Sequence, residues 1–285
     1  MQIPDKAPVV VAVSGSSAGL AAVRLAAREA AARGLTLLVL HAFSWPGTRY
    51  TDDPPDYGTA RHEADQIVNE AVASARRSAP GVPVKGKVAD GLAVRELLVQ
   101  SHRAALLVLG DDALAGGMRI PADSVLVQVV SRARCPVVVA RGVRPPSGPL
   151  LAAVDGSPSS MLALRLAAGE AQRRQIPLDV AHVVGEAGEA AGSRLLRRMV
   201  DQIPDIAGVR PQLLIGEPAP TLLRVSRRAR MMVVGPRGTD GSSLLGAVAS
   251  ELLRRCACPT VFVHGTPAGD DPADGTVPSA GALIS

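Results

Sequence analysis

The sequence predicts two Rossmann-like, doubly wound α/β domains. Each is a mostly parallel five-stranded sheet of order 3-2-1-4-5 with helices on both faces. Three observations lead there. The chain has 285 residues, 47% hydrophobic and 20% charged, enough for about two domains with sizeable cores. Short β-branched runs alternate with longer stretches of helical spacing. That alternation occurs twice, with the same landmarks in the same order.

In the first half, strands are predicted at residues 9–13, 35–43, 82–88, 105–110 and 136–140. Their counterparts in the second are 150–154, 177–184, 209–215, 231–235 and 259–263. Most of these runs lack polar alternation, as suits strands covered on both faces. Between them, Val94, Leu97, Leu98 and Ser101 follow helix spacing. So do Leu195, Leu196 and Met199, and Leu245, Val248 and Leu252. The order is βαβαβαβαβ, twice, which implies parallel sheets with crossover helices.

The duplication fixes the boundaries. Val9 to Ser16 resembles Leu150 to Ser157 at an offset of 141, and His41 and His182 share that offset. Gly91 and Gly216, then Gly110 and Gly235, match at 125; Cys135-Pro136 and Cys258-Pro259 match at 123. We place the domains at 1–141 and 150–264, with a linker at 142–149 and a disordered tail at 265–285. Residues 44–58, which hold the one Trp and both Tyr, read as a Pro-rich surface loop. Each fifth strand would lie at a sheet edge and seek a partner. The expectation is an intramolecular pseudo-dimer and, beyond it, a homodimer.

Composition narrows the function. Aromatics are 2% of the chain, too few for a base-stacking platform on single-stranded nucleic acid. The net charge of +5 comes from scattered arginines, many at predicted helix ends, so nucleic acid is not an expected partner. No apolar run is long enough to span a membrane, and the first residues lack a signal-peptide layout. Three cysteines are no disulfide framework, and Cys256-Ala-Cys258 with His264 has too few ligands for a metal site. A soluble, cytoplasmic protein with buried free thiols is expected. Gly15-Ser-Ser17-Ala-Gly19 fits a nucleophile elbow, but it follows the first strand, with almost no sheet before it.

Ligands of doubly wound sheets sit beyond the carboxyl ends of the strands. There the second half offers Ala153, Val154 and Asp155 after its first strand and Val183 at the end of its second. After its fourth come Gly235, Arg237, Gly238 and Gly246, then the amides of Ala247 and Val248. Asp155 can accept hydrogen bonds from a ribose or hold its own turn. The glycines let backbone amides approach a phosphate, the helix start adds positive potential, and Arg237 adds a charge. The first half has Ser14, Gly110, Ala113, Asp123 and Ser124 in those places, and Asp111 and Asp112 beside them. With Asp123 at the helix start it is a degenerate site, expected to bind no triphosphate.

These residues resemble the universal stress protein family, once in each half over nearly all of residues 8–263. Its nucleotide-binding members carry an Asp after the first strand and, after the fourth, Gly, two residues, Gly, nine residues, Gly, then Ser or Thr. The second half keeps Asp155, Gly235, Gly238 and Gly246, with a seven-residue spacer and Ala247 for the hydroxyl. The first keeps Gly110, the nine-residue spacer and Ser124, with Ser14, Ala113 and Asp123 departing from the pattern. The resemblance implies a non-enzymatic stress-response protein that binds ATP or another adenine nucleotide in its second domain, with magnesium as its companion ion. The alternatives are an interaction or scaffold module with vestigial pockets, or a slow ATP or ester hydrolase.

Overall fold

A computed structural model of the chain describes residues 7–45, 56–111, 121, 123–142, 147–203, 208–237 and 245–264. The tail at 265–285, the middle of the linker and most of the 44–58 loop lie outside the described residues. The first domain runs β1 (Val9–Ala12), α1 (Ser17–Arg33), β2 (Leu37–Phe43), α2 (Tyr57–Ser78), β3 (Val84–Asp90), α3 (Ala93–Ser101), β4 (Leu106–Leu109), α4 (Val125–Arg132) and β5 (Val137–Val139). The second runs β6 (Leu150–Ala153), α5 (Pro158–Arg174), β7 (Leu178–Val184), α6 (Glu189–Val200), β8 (Val209–Ile215), α7 (Pro218–Ser226), β9 (Met231–Val234), α8 (Ala247–Arg255) and β10 (Thr260–Phe262).

Both domains have the predicted strand order, and every pairing within them is parallel. Two details differ from the sequence reading. Tyr57 and Gly58 open α2 rather than close a loop, because the Asp56 carboxylate accepts the amides of Gly58 and Thr59 and starts the helix there. Leu245 precedes α8 instead of riding on it.

The central strands β1, β4, β6 and β9 are almost wholly buried, with helices on both faces. The sheet ends at β3 and β8. Exposed Lys85 and Lys87 on the one, and Arg210 and Pro211 on the other, make these edges poor templates for further pairing.

The fifth strands do pair, with each other. Thr260, Val261 and Phe262 run antiparallel to Val139, Val138 and Val137, and the two domains form one ten-stranded sheet. Both fifth-strand edges are thereby used within one chain, so a second chain would have to meet this one elsewhere. The seam repeats itself by a local two-fold. Arg141 Nη2 donates to the Leu253 carbonyl, and His264 Nε2 donates to the Val130 carbonyl at 2.5 Å. Each partner is the repeat equivalent of the other.

The same two-fold relates α1 and α5. Arg33 reaches Glu170 at 2.7 Å, Arg174 reaches Glu29 at 2.6 Å, and each arginine also pairs with the glutamate of its own helix. Glu29 and Glu170 are buried. Burial pushes the Glu29 carboxyl up, but Arg33 and Arg174 together hold it below the ordinary carboxylate range. Read from sequence, these arginines were solvated helix ends; two of them instead close the domain interface.

Candidate functional site

In the second domain the strand order reverses between β6 and β9, so the connections that leave their carboxyl ends run in opposite directions. A cavity of about 290 Å³ opens at that point. Its walls come from Ala153, Val154 and Asp155 after β6, and from Ala181, His182 and Val183 of β7. Pro218 and Leu222 of α7, Val234 and Gly235 at the end of β9, Arg237, and Gly246 to Ala249 and Leu252 at α8 complete it.

Local sequence explains how each group gets there. Gly156 turns the chain after β6 at φ +86°, a conformation that favours glycine, as Gly15 does in the first domain at +87°. Ser157 caps α5 by accepting the Ser160 amide at 3.2 Å. Asp155 Oδ1 accepts the Ser157 amide at 2.9 Å, so the carboxylate holds its own turn while lining the cavity. Gly235 lies so close to α5 that a Cβ would come within 2.5 Å of Ser159 Oγ. Ser159 Oγ in turn donates to the Arg237 carbonyl at 2.6 Å and ties the two site loops together. The Arg237 guanidinium donates to the Ser131 carbonyl of the first domain at 3.4 Å.

Helix α8 starts at Gly246, which supplies no side-chain cap. Its first-turn amides have no acceptor within the helix, and the residues that carry them line the cavity. The cavity therefore combines apolar side chains, Ala153, Ala181, Val183 and Leu222 among them, with the residues at the start of α8 and Arg237.

Of the ten sequence-predicted positions, Ala153, Val154, Asp155, Val183, Gly235, Arg237, Gly246, Ala247 and Val248 meet around this cavity. Gly238 lies outside the described residues. Sequence reasoning did not select Ser160, Ala181, Pro218 or Leu222. Leu222 is the counterpart of Leu97 at the offset of 125 that Gly91 and Gly216 share, so the repeat could have pointed to it. His182 Nδ1 meets the Val154 carbonyl at 2.8 Å, as His41 Nδ1 meets the Val13 carbonyl at 2.8 Å.

The first domain arranges the same places differently. Ser14 Oγ donates to Ser16 Oγ at 3.1 Å. Gly110 follows β4, and Ala113 and Asp112 lie outside the described residues. Asp123 was expected at the helix start, but α4 begins later. Ser124 is its cap, accepting the Val127 amide at 3.2 Å, and Asp123 stands exposed one residue before it. A hydroxyl, not the carboxylate, takes up an amide of that helix end.

Among the described residues no group of three or more His, Cys, Asp or Glu could hold a metal ion. No described helix is long and apolar enough to cross a membrane. All three cysteines are free and buried.

Comparison with known proteins matches residues 7–141 and 147–264 to the universal stress protein family. A universal stress protein of Mycolicibacterium smegmatis is 29% identical over 285 residues, covering 90% of this chain and 96% of its own length. One from Mycobacterium tuberculosis is 28% identical over 303 residues, covering 90% and 94%. The crystal structure of a universal stress protein from Archaeoglobus fulgidus superposes over 90% of this chain and 98% of its own, with a TM-score of 0.72 at 16% identity, a likeness of fold.

Proposed function

Because the chain belongs to the universal stress protein family, with both of its domains matched, we propose that it is a regulatory protein that binds an adenine nucleotide in its second domain. The observation that carries this reading is the cavity at the β6/β9 switch point, lined by apolar side chains and by the residues of the uncapped α8 start. Ala153, Ala181, Val183 and Leu222 would take the flat apolar base, and Asp155 the ribose. The amides of Ala247 and Val248, with Arg237, would take the phosphates, and ATP is the nucleotide first expected. Magnesium would arrive on those phosphates.

The role is regulatory rather than catalytic: nucleotide would shift an equilibrium between conformations by binding one better than the other. Mass spectrometry of freshly purified, denatured protein tests the reading directly. Co-purified adenine nucleotide supports it. No nucleotide, together with no rise in melting temperature at millimolar ATP, ADP or AMP, would leave the chain an interaction module.

A further inference from the structure

Cys256 and Cys258 face each other where α8 gives way to β10, with their sulfurs 3.8 Å apart and both residues buried. Cys256 ends α8 in extended backbone, φ −58° and ψ 139°, and residues two apart in extended chain point to the same side. A disulfide needs the sulfurs at about 2.05 Å, so closure asks for a local shift rather than refolding.

The surroundings favour a thiolate. Arg141 crosses the domain seam to the Leu253 carbonyl, and its positive charge acts on both cysteines. Its Nε is buried without a partner. The Cys258 thiol hydrogen-bonds to Cys256 and holds it below the ordinary thiol range, while that bond and burial push Cys258 up. The first domain has no such pair. Ala133 stands in the place of Cys256, and burial pushes the remaining Cys135 up to about 12.

We propose that Cys256 and Cys258 form a dithiol site oxidised by hydroperoxides, placed at the seam between the two domains. The Cys256 thiolate attacks the terminal oxygen of the hydroperoxide. An S–O bond forms, the O–O bond breaks, and the alkoxide or hydroxide leaves and takes a proton. The Cys258 sulfur then attacks the sulfenic acid. The S–S bond forms, the S–O bond breaks, and the departing hydroxide leaves as water with the Cys258 proton. Two thiols lose two electrons and the peroxide becomes an alcohol, or water, plus a second water.

Trypsin makes the test clean, because residues 256–285 contain no Lys or Arg while Cys135 falls in a separate peptide. Full-length protein is treated with hydrogen peroxide, alkylated after denaturation, and digested. The expected product is peptide 256–285 lacking two hydrogens and carrying no alkyl group, with Cys135 still alkylated. In Cys258→Ala, Cys256 should stop at a sulfenic acid that a dione reagent traps. In Arg141→Gln, oxidation measured at acid pH, where the thiolate is the minor form, should slow by roughly tenfold for each unit that the Cys256 pKa rises. The proposal is overturned if both thiols of 256–285 remain alkylatable, or if Cys135 oxidises as fast as they do. It also fails if the Arg141→Gln protein, shown folded by its melting curve, reacts at the unchanged rate.

Discussion

The two domains share most of the contacts where they meet and differ where they face a ligand. At the seam, Arg33 and Arg174, Glu29 and Glu170, and Val130 and Leu253 hold equivalent positions in equivalent contacts. At the switch points, Ser14 faces the place of Asp155, and Ser124 caps α4 where Gly246 leaves α8 uncapped. A two-fold contact constrains both copies at once, since a change on either side meets the same partner. Two separate sites have no such bond, so one can change its residues while the other keeps its own.

The largest expected effect breaks the alike half of that comparison. Glu29→Ala or Glu170→Ala removes a buried carboxylate and leaves Arg33 and Arg174 to share the one that remains. Each should cost about 3–5 kcal/mol, measured by denaturant unfolding, with Glu170 carrying the further pair to Arg173. Removing Glu29 and Arg174 together should cost much less than the sum of the two single losses. A surface-like value below about 1 kcal/mol would show the quartet to be solvated. The pH dependence has a definite sign. The folded Glu29 carboxyl sits below its unfolded value, so its contribution is complete above the ordinary carboxylate range and fades as pH falls through the lowered one. Glu29→Gln should flatten that acid limb of the melting-temperature curve.

The unlike half is tested next. Ala247 is exposed at the first position of α8, where an acidic side chain favours the helix and opposes a phosphate. Ala247→Asp should leave the unliganded protein at least as stable and remove the nucleotide response. At about 100 times its Kd a ligand adds roughly 2.7 kcal/mol to the wild-type protein. An unchanged shift in Ala247→Asp would move the phosphates away from α8. Isolated residues 1–145 should show no such response, and micromolar ATP binding there would erase the contrast between the domains.

The fold was legible because apolar runs and repeat landmarks record it directly: the strand order of each domain and the edge position of its fifth strand follow from them. That Asp155, Gly235 and Gly246 line one cavity was legible for a related reason, since they follow strand ends that the topology brings together. Two things were not. Whether Asp123 or Ser124 starts α4 depends on backbone angles that differ by one residue, and spacing does not resolve that. The partners of Arg33 and Arg174 lie 137 and 145 residues away, and only the packing of α1 on α5 joins them.

The smallest effects sharpen the comparison by exchanging caps. Ser124→Ala removes the acceptor of the Val127 amide and should cost about 1 kcal/mol, the usual value for such a cap. Gly246→Ser makes the reverse change. Gly246 has φ −62° and ψ 157°, which serine adopts freely, so the hydroxyl can cap α8 as Ser124 caps α4. Because glycine is already a tolerable cap, the unliganded protein should gain only about a few tenths of a kcal/mol. The informative reading is the nucleotide response. If the α8 amides serve the phosphates, a serine that occupies one of them should weaken binding, lowering the ligand-induced rise in melting temperature more than it raises the starting value. If the response is untouched while the start rises, the helix end is ordinary and the phosphates rest on Arg237 and the glycine loop alone.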